Sequence, residues 1–370
     1  GYMRAAQYVA DRFASLGLKH PVDAFANMGK KRVVDYFQMI DIVRPGAHQA
    51  EKAVNVFGVW GDHCGHTPPV IIGAHLDHLG YGSGKDSKLH PGADDNASGV
   101  AALLEVARTI RKQAGAEHCF VFAAFAGEEA GIAGSSRMTE LFKGSKVGVK
   151  AMLNMDMVGR MEGNSLVVFG RDTATQWASI LDPICTDAHL NCQGGGDGYG
   201  PSDQMAFYLD GAPVLHFFTG PHTDYHRASD TAEKINATGG TQVYDVVAAV
   251  AIKAGEARQG FQLLKPQAGS KLAFRGDLQE RFTKTKGYLG TIPDYGAVTK
   301  MDAIGAIGIR LSGARPGSPA EAAGIRTGDV LVSIRDEEVH PAMPAGFRMG
   351  NMDDFMTVLG QLHPGQKVLL

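Results

Sequence analysis

The sequence is poor in cysteine and tryptophan, with four and two among its 370 residues. Four cysteines are too few to form a disulfide framework for a chain of this length, so the fold must rest on a hydrophobic core. Cys119 lies in an apolar run and reads as a buried thiol. Cys185 and Cys192 are close enough in sequence to pair, but spacing alone does not fix the geometry a disulfide needs, and their redox state stays open. Long apolar runs are also missing, since none reaches the roughly 18 residues of a membrane span. Neither sign of charge dominates. The formal net charge of -3 excludes the basic footprint of a nucleic-acid surface or a polybasic membrane face. There are no internal repeats and no low-complexity tracts. No leader-like segment stands at Gly1, and the last residues, "KVLL", stop inside an apolar run, so both ends read as cuts.

What is present is ordinary globular composition, 44% apolar and 20% charged, in a length that suits about two domains. "MRAAQYVADRFASLGL" has helical apolar spacing and a Gly stop. "NVFGVW", "PPVIIGAHLDH", "HCFVFAAFAGEE", "AMLNMDMVG", "SLVVFG" and "APVLHFFTG" read as strands without polar alternation. Between them lie helical stretches such as "ASGVAALLEVARTIRK", with Asp95 or Asn96 placed to cap it, and "TQVYDVVAAVAIKAGEA". Continuous apolar strands interleaved with helices predict a three-layer α/β/α domain with a mostly parallel mixed sheet over residues 1–264. Residues 265–286 are polar and weakly patterned and read as a linker. Residues 287–370 change texture to short strands and one short helix, with Ser318 as cap, Pro319 in its first turn and Gly324 at its end.

In open α/β sheets ligands bind at the carboxyl ends of the strands. The residues that follow the apolar runs are therefore informative. They are His75 and Asp77, then the pair Asp94 and Asp95, then Glu128 and Glu129, then Asp156, and finally a loop with His222, Asp224, His226 and Asp230. Any one of these could cap a helix or satisfy a backbone group, but five such coincidences cannot all be capping. Buried acids are costly unless something positive meets them, and divalent cations do so. Imidazoles with several carboxylates suit zinc and a two-metal arrangement. "GDHCGH", with His63, Cys64 and His66, lacks the paired spacing of a structural zinc site and reads as a surface turn.

The stretches "GAHLDHLG", "PGADDNASG", "AFAGEEAGIAGS", "NMDMVGR" and "DYHRASDT" resemble, in order and spacing, the five motifs of the co-catalytic zinc aminopeptidases. That family includes the bacterial leucyl aminopeptidases, glutamate carboxypeptidase and the transferrin receptor. The resemblance spans about Met3 to Gln262. It implies two zinc ions per chain, with His75 and Asp156 the terminal ligands of one, Glu129 and His226 those of the other, and Asp94 bridging both. It implies Asp77 as the acid that orients His75, and Glu128 as the general base. Tyr199 matches a family tyrosine near the oxyanion, and Asp230 falls near the site as a supporting or substrate-side group. Ser202 and Asp203 read as supporting groups or helix caps. Relatives often hold the aspartate pair in cis, which predicts a cis Asp94–Asp95 bond, with Asp95 turned toward the helix start. A disulfide that staples the tyrosine loop in some relatives is missing here, since Asp197 and Pro201 hold the flanking positions.

The implied activity is removal of N-terminal residues from peptides with a free N-terminus. Carboxypeptidase, dipeptidase and glutaminyl cyclase relatives are the alternatives, and a catalytically dead binding protein is a third. The exported location of many relatives suggests export or the periplasm. "GYLGTIPDY" with "RPGSPAEAAGIRTGDVLVSI" resembles a PDZ domain of the bacterial protease-associated type. That likeness implies a peptide or protein C-terminus as partner, received at Tyr288, Leu289 and Gly290.

Overall fold

The computed structural model describes residues 1–25, 32–42, 49–81, 88–143, 147–200, 202–220, 222–264, 289–301, 306–314, 318–326, 329–336, 347–348, 358, 362 and 365–370. The expected linker, 265–286, lies outside them. The chain divides into two compact units, one of residues 1–42 and 51–265, the other built mainly of residues 266–370.

The first unit is organised by a nine-stranded sheet. Its strands are β1 (Val33–Val34), β2 (Phe37–Ile42), β3 (Glu51–Trp60), β4 (Val70–His75), β7 (Phe120–Phe125), β8 (Ala151–Met155), β9 (Ser165–Phe169), β10 (Asn191–Gln193) and β11 (Val214–Phe218). Two short strands, β5 (Gly80–Tyr81) and β6 (Leu89–His90), pair separately beyond the end of β4. The sheet order is β1-β2-β3-β7-β4-β8-β11-β9-β10. The centre, β7-β4-β8-β11, is parallel, and antiparallel pairs carry the sheet outward through β3 on one side and β9 on the other.

The absence of polar alternation in the central strands has a direct cause: both faces are covered. Every residue of β4 and of β7 is buried. Val70, Ile72, Ala74, Phe120, Phe122 and Ala124 face a core shared with α1 (Tyr2–Ser15), α3 (Gly99–Gln113), α5 (Trp177–Asp187) and α7 (Ala237–Glu256). Their alternates Ile71, Val121, Ala123 and Phe125 face a second core with α4 (Ala133–Phe142) and α6 (Gln204–Leu209). The small helix α2 (Pro21–Ala24) follows α1. The domain is thus the expected three-layer α/β/α, with a mixed sheet whose parallel part is its centre.

The topology also fixes where a site can form. The chain leaves β4 through α3 to reach β7 on one side, then returns through α4 to β8 on the other. The connection reverses at β4, and that is where a crevice opens outside the carboxyl ends of a parallel sheet.

The cysteines differ from the sequence expectation. Cys119 is not a free thiol but is bonded to Cys64, across a sequence separation of 55. The antiparallel register that places Trp60 opposite Phe120 brings the two together. Cys185 and Cys192 are also bonded, tying the end of α5 to β10.

The second unit contains a three-stranded antiparallel sheet of β12 (Thr291–Met301), β13 (Ala306–Ala314) and β14 (Val330–Leu331). Its helix α8 (Pro319–Ala322) begins at Ser318, whose Oγ accepts the Glu321 N–H at 3.2 Å, and Gly324 follows it with φ 84°. Leu289, Ile309, Leu311, Leu331, Ile334, Val358 and Leu362 form its core.

Closing a loop of 55 residues restricts the unfolded chain strongly, by about 4 kcal/mol on the loop-entropy model. Replacing both Cys64 and Cys119 by Ala should lower unfolding stability by roughly 2–4 kcal/mol, read as a lower denaturant midpoint. An unchanged midpoint would show that the bond contributes nothing beyond the surrounding packing.

Candidate metal centre

The strand ends deliver their side chains as the sheet order requires. His75 is the last residue of β4 and Asp156 follows β8, its neighbour. Glu128 and Glu129 follow β7, and His222 and His226 follow β11. His75 Nε2 lies 3.1 Å from Asp95 Oδ1 and 3.2 Å from Asp156 Oδ1. His226 Nε2 lies 3.2 Å from Asp95 Oδ2 and 3.2 Å from Glu129 Oε2. The two oxygens of Asp95 therefore serve two separate clusters.

This corrects the assignment within the aspartate pair. Asp94, not Asp95, turns away from the clusters. Its Oδ1 accepts the Gly159 N–H at 2.7 Å, and its Oδ2 lies 3.1 Å from His222 Nε2. Because the Asp224 N–H donates to His222 Nδ1, the proton sits on Nε2 and is donated to Asp94. The cis bond is likewise one position on, at Asp95–Asn96 rather than Asp94–Asp95. At the start of α3 it is Asn96, not Asp95, whose Oδ1 accepts the Gly99 N–H, at 2.9 Å. Asp230 is fully buried, and its Oδ2 accepts both the Asp94 N–H at 2.9 Å and the Asp95 N–H at 3.1 Å. It fixes the backbone that aims the pair.

Asp77 also differs from expectation. The group that holds His75 is the Asp77 carbonyl, 3.0 Å from Nδ1, while the Asp77 carboxylate lies 3.9 Å from that nitrogen. Asp77 Oδ1 instead accepts the Glu128 N–H at 3.1 Å. The contact with the carbonyl engages Nδ1 and leaves Nε2 to face Asp95 and Asp156.

The electrostatics follow from gathering acids in a buried place. Burial pushes the Glu128 carboxyl well above the ordinary carboxylate range; His75 opposes this, and Glu129 and Asp156 add to it. Burial would raise Asp95 too, but the imidazoles of His226 and His75 beside it hold it below its usual value. Asp203 is fully buried and pushed up to about 7, mainly by burial. Ser202 Oγ donates to Asp156 Oδ2 at 2.8 Å. Tyr199 packs edge-on against Tyr208, with ring centroids 5.1 Å apart.

Sequence reasoning put Asp94 where Asp95 faces both His75 and His226, and it placed His78 near the site, off the ligand positions, without a partner. His78 Nδ1 is 2.7 Å from Glu129 Oε1. It missed Tyr225, whose ring stacks on His226 at 3.8 Å. The available signals were positional: His78 lies three residues beyond a site histidine, and Tyr225 directly precedes another. The "GDHCGH" turn is no metal clip, since Cys64 is disulfide-bonded. Tyr288 of the expected peptide-binding loop lies outside the described residues. Leu289 is packed in the second unit's core, its carbonyl accepting the Ala320 N–H at 2.8 Å, and Gly290 has φ 77°.

The donors fit divalent cations. Bonds of about 2.0–2.2 Å meeting at tetrahedral angles put ligand atoms about 3.3–3.5 Å apart. The four imidazole–carboxylate separations, 3.1 to 3.2 Å, lie close to that edge. Asp95 Oδ2 is buried yet accepts no hydrogen bond. His75, Asp95 and Asp156, and separately His78, Asp95 and Glu129, each bring three donor atoms within 4.8 Å of one another.

The domain is thus an α/β/α fold with two groups of candidate cation donors at its parallel strand ends. The profile of peptidase family M28 matches residues 55–251, more than half the chain, and the chain belongs to that family. It is similar to a probable leucine aminopeptidase of Arthroderma otae, 31% identical over 179 residues, covering 45% of this chain and 48% of that protein. It is similar also to leucine aminopeptidase 1 of Trichophyton equinum, 38% identical over 122 residues, covering 32% and 31%. The chain thus spans about half, or less, of the length of these curated relatives. Among solved structures the Legionella pneumophila LapA aminopeptidase matches with a TM-score of 0.52 at 21% identity, over 69% of this chain and 65% of that one. A Bacteroides thetaiotaomicron glutaminyl cyclase matches with a TM-score of 0.54 at 18% identity, over 66% and 87%. At these identities the likeness is one of fold.

The two aspartates should separate by experiment. Asp95→Ala should remove most bound zinc while leaving the unfolding midpoint of the metal-free protein nearly unchanged. Asp94→Ala strands the Gly159 N–H and the His222 N–H and should cost about 3 kcal/mol of stability. Equal metal loss with unaltered stability in the Asp94 variant would reverse the assignment.

Proposed function

We propose that the chain is a two-zinc aminopeptidase that hydrolyses the first peptide bond of substrates with a free N-terminus. The observation that carries this reading is Asp95, whose two oxygens face two clusters, with Glu128 beside them. In this reading His75 and Asp156 hold one zinc, His226 and Glu129 the other, and Asp95 both. When bound, the cations supply Lewis acidity, acidifying a water and drawing charge from the scissile carbonyl.

The chain's own groups do the rest. Glu129 is committed to His226 and His78, so Glu128 is the neighbour left to take the water's proton. In this reading Glu128 first accepts the proton and then delivers it to the leaving amine. The Asp77 carboxylate, on the Glu128 N–H, fixes the turn that presents this base. Tyr199 is proposed to lie on the oxyanion side and Asp230 to act through the aspartate backbone. The aminopeptidase reading is preferred to the cyclase because the named sequence relatives are leucine aminopeptidases, whereas the cyclase likeness is of fold alone.

Aminoacyl arylamide hydrolysis should vanish with a chelator and return with zinc. Glu128→Gln should keep its zinc and lose about 10²–10⁴-fold in kcat. A fully active variant would remove Glu128 from the role of base. Cleavage of N-blocked peptides only would sink the aminopeptidase reading.

The second unit is proposed as a PDZ module, with Tyr288, Leu289 and Gly290 receiving a C-terminal carboxylate. The Ser318-capped helix and the left-handed Gly290 support it. Labelled peptides with free C-termini should bind, and amidated ones should not. Equal binding of both would exclude carboxylate recognition.

A further inference from the structure

Each terminal carboxylate of the centre divides its oxygens between two partners. Asp156 presents Oδ1 to His75 Nε2, while its Oδ2 accepts from Ser202 Oγ at 2.8 Å. Glu129 presents Oε2 to His226 Nε2, while its Oε1 lies 2.7 Å from His78 Nδ1. His78 stands outside the residues assigned as ligands, yet its side chain is only 9% exposed. Its ring meets that of His226 edge-on, with centroids 5.7 Å apart. Gly92, with φ 64°, covers it closely. A Cβ there would stand 2.6 Å from His78 Cγ and 2.4 Å from the Asp95 carbonyl oxygen, so no side chain fits at this position.

We propose that His78 is a positioning residue for the second zinc, its Nδ1–H tethering Glu129 Oε1 so that Oε2 alone is offered as a ligand. Ser202 does the same for Asp156 on the other side. The inference rests on the two-zinc reading. A carboxylate free to rock between one- and two-oxygen binding changes the coordination number of its cation. A tethered one holds three protein donors and keeps the remaining position open, as a catalytic zinc requires. His78 is a tether and not itself a ligand. Its 2.7 Å contact is of hydrogen-bond length and well short of the separation of about 3.3 Å between atoms sharing a tetrahedral zinc. His78 Nδ1 also lies 3.7 Å from Asp95 Oδ2, farther than His226 Nε2 does.

The test is zinc bound per chain, measured by elemental analysis after equilibration of the full chain at graded free zinc. The variants are His78→Phe, which keeps the ring volume without the donor, and His78→Asn, which restores an N–H near the Nδ1 position. His78→Leu takes the place of the phenylalanine variant should that one fail to fold. Wild type should hold two zinc ions. The phenylalanine variant should need about 10–100-fold more free zinc to fill the second site, with the first site unchanged, and the asparagine variant should behave like wild type. Filling of both sites at wild-type free zinc in the phenylalanine variant overturns the tether. So does a folded asparagine variant as impaired as the phenylalanine one, because the imidazole itself would then be required. A wild type that holds a single zinc overturns the two-zinc reading instead, and this inference falls with it.

Discussion

The structure depends on one electrostatic constraint: several carboxyl groups must be gathered, nearly dry, at the end of a sheet. Left alone they would repel each other and resist burial. The chain meets part of that constraint by giving several of these acids a defined partner. Asp230 takes two backbone N–H groups, Asp94 takes Gly159 and His222, Asp77 takes Glu128 N–H, and Asp156 takes Ser202. Asp95 keeps an oxygen that accepts no hydrogen bond, and it sits between two imidazoles. The layers, the strand order and the switch at β4 all serve to bring these partners to one edge.

Much of this was legible in the sequence. Strands such as "PPVIIGAH" show no polar alternation, and a strand covered on both faces should not. Reading the residues just beyond each such run located His75, Glu128, Glu129, Asp156 and His226. The same rule worked because β4, β7, β8 and β11 are parallel, so their ends coincide. In the second unit, Ser318, Pro319 and Gly324 took the cap, first-turn and end positions that local chemistry gives them.

The errors have a common physical origin. Local pattern says which residues arrive at the edge but not which way an irregular turn points them. Residues 93–98 form an irregular turn, and Asp94 and Asp95 differ by one position within it. Their directions are set by Asp230, Gly159 and His222, all distant in sequence. Asp77 looked like a carboxylate partner for His75, and its carbonyl took that place. Cys64 and Cys119 each looked unexceptional, and only the β3–β7 register joins them. His78 lies past the strand end, where alternation no longer predicts direction.

The paired cysteines matter for the metal centre as well as for the fold. Thiolates are the softest zinc ligands a protein offers and bind it strongly. Among the described residues no cysteine is free, so the folded, oxidised chain offers zinc only nitrogen and oxygen donors. Reduction would release four thiols that, once the chain loosens, could draw the cation away from the strand ends. In the oxidised chain the four sulfurs are held in bonds of the fold, and a cation at the strand ends would meet imidazole and carboxylate groups alone.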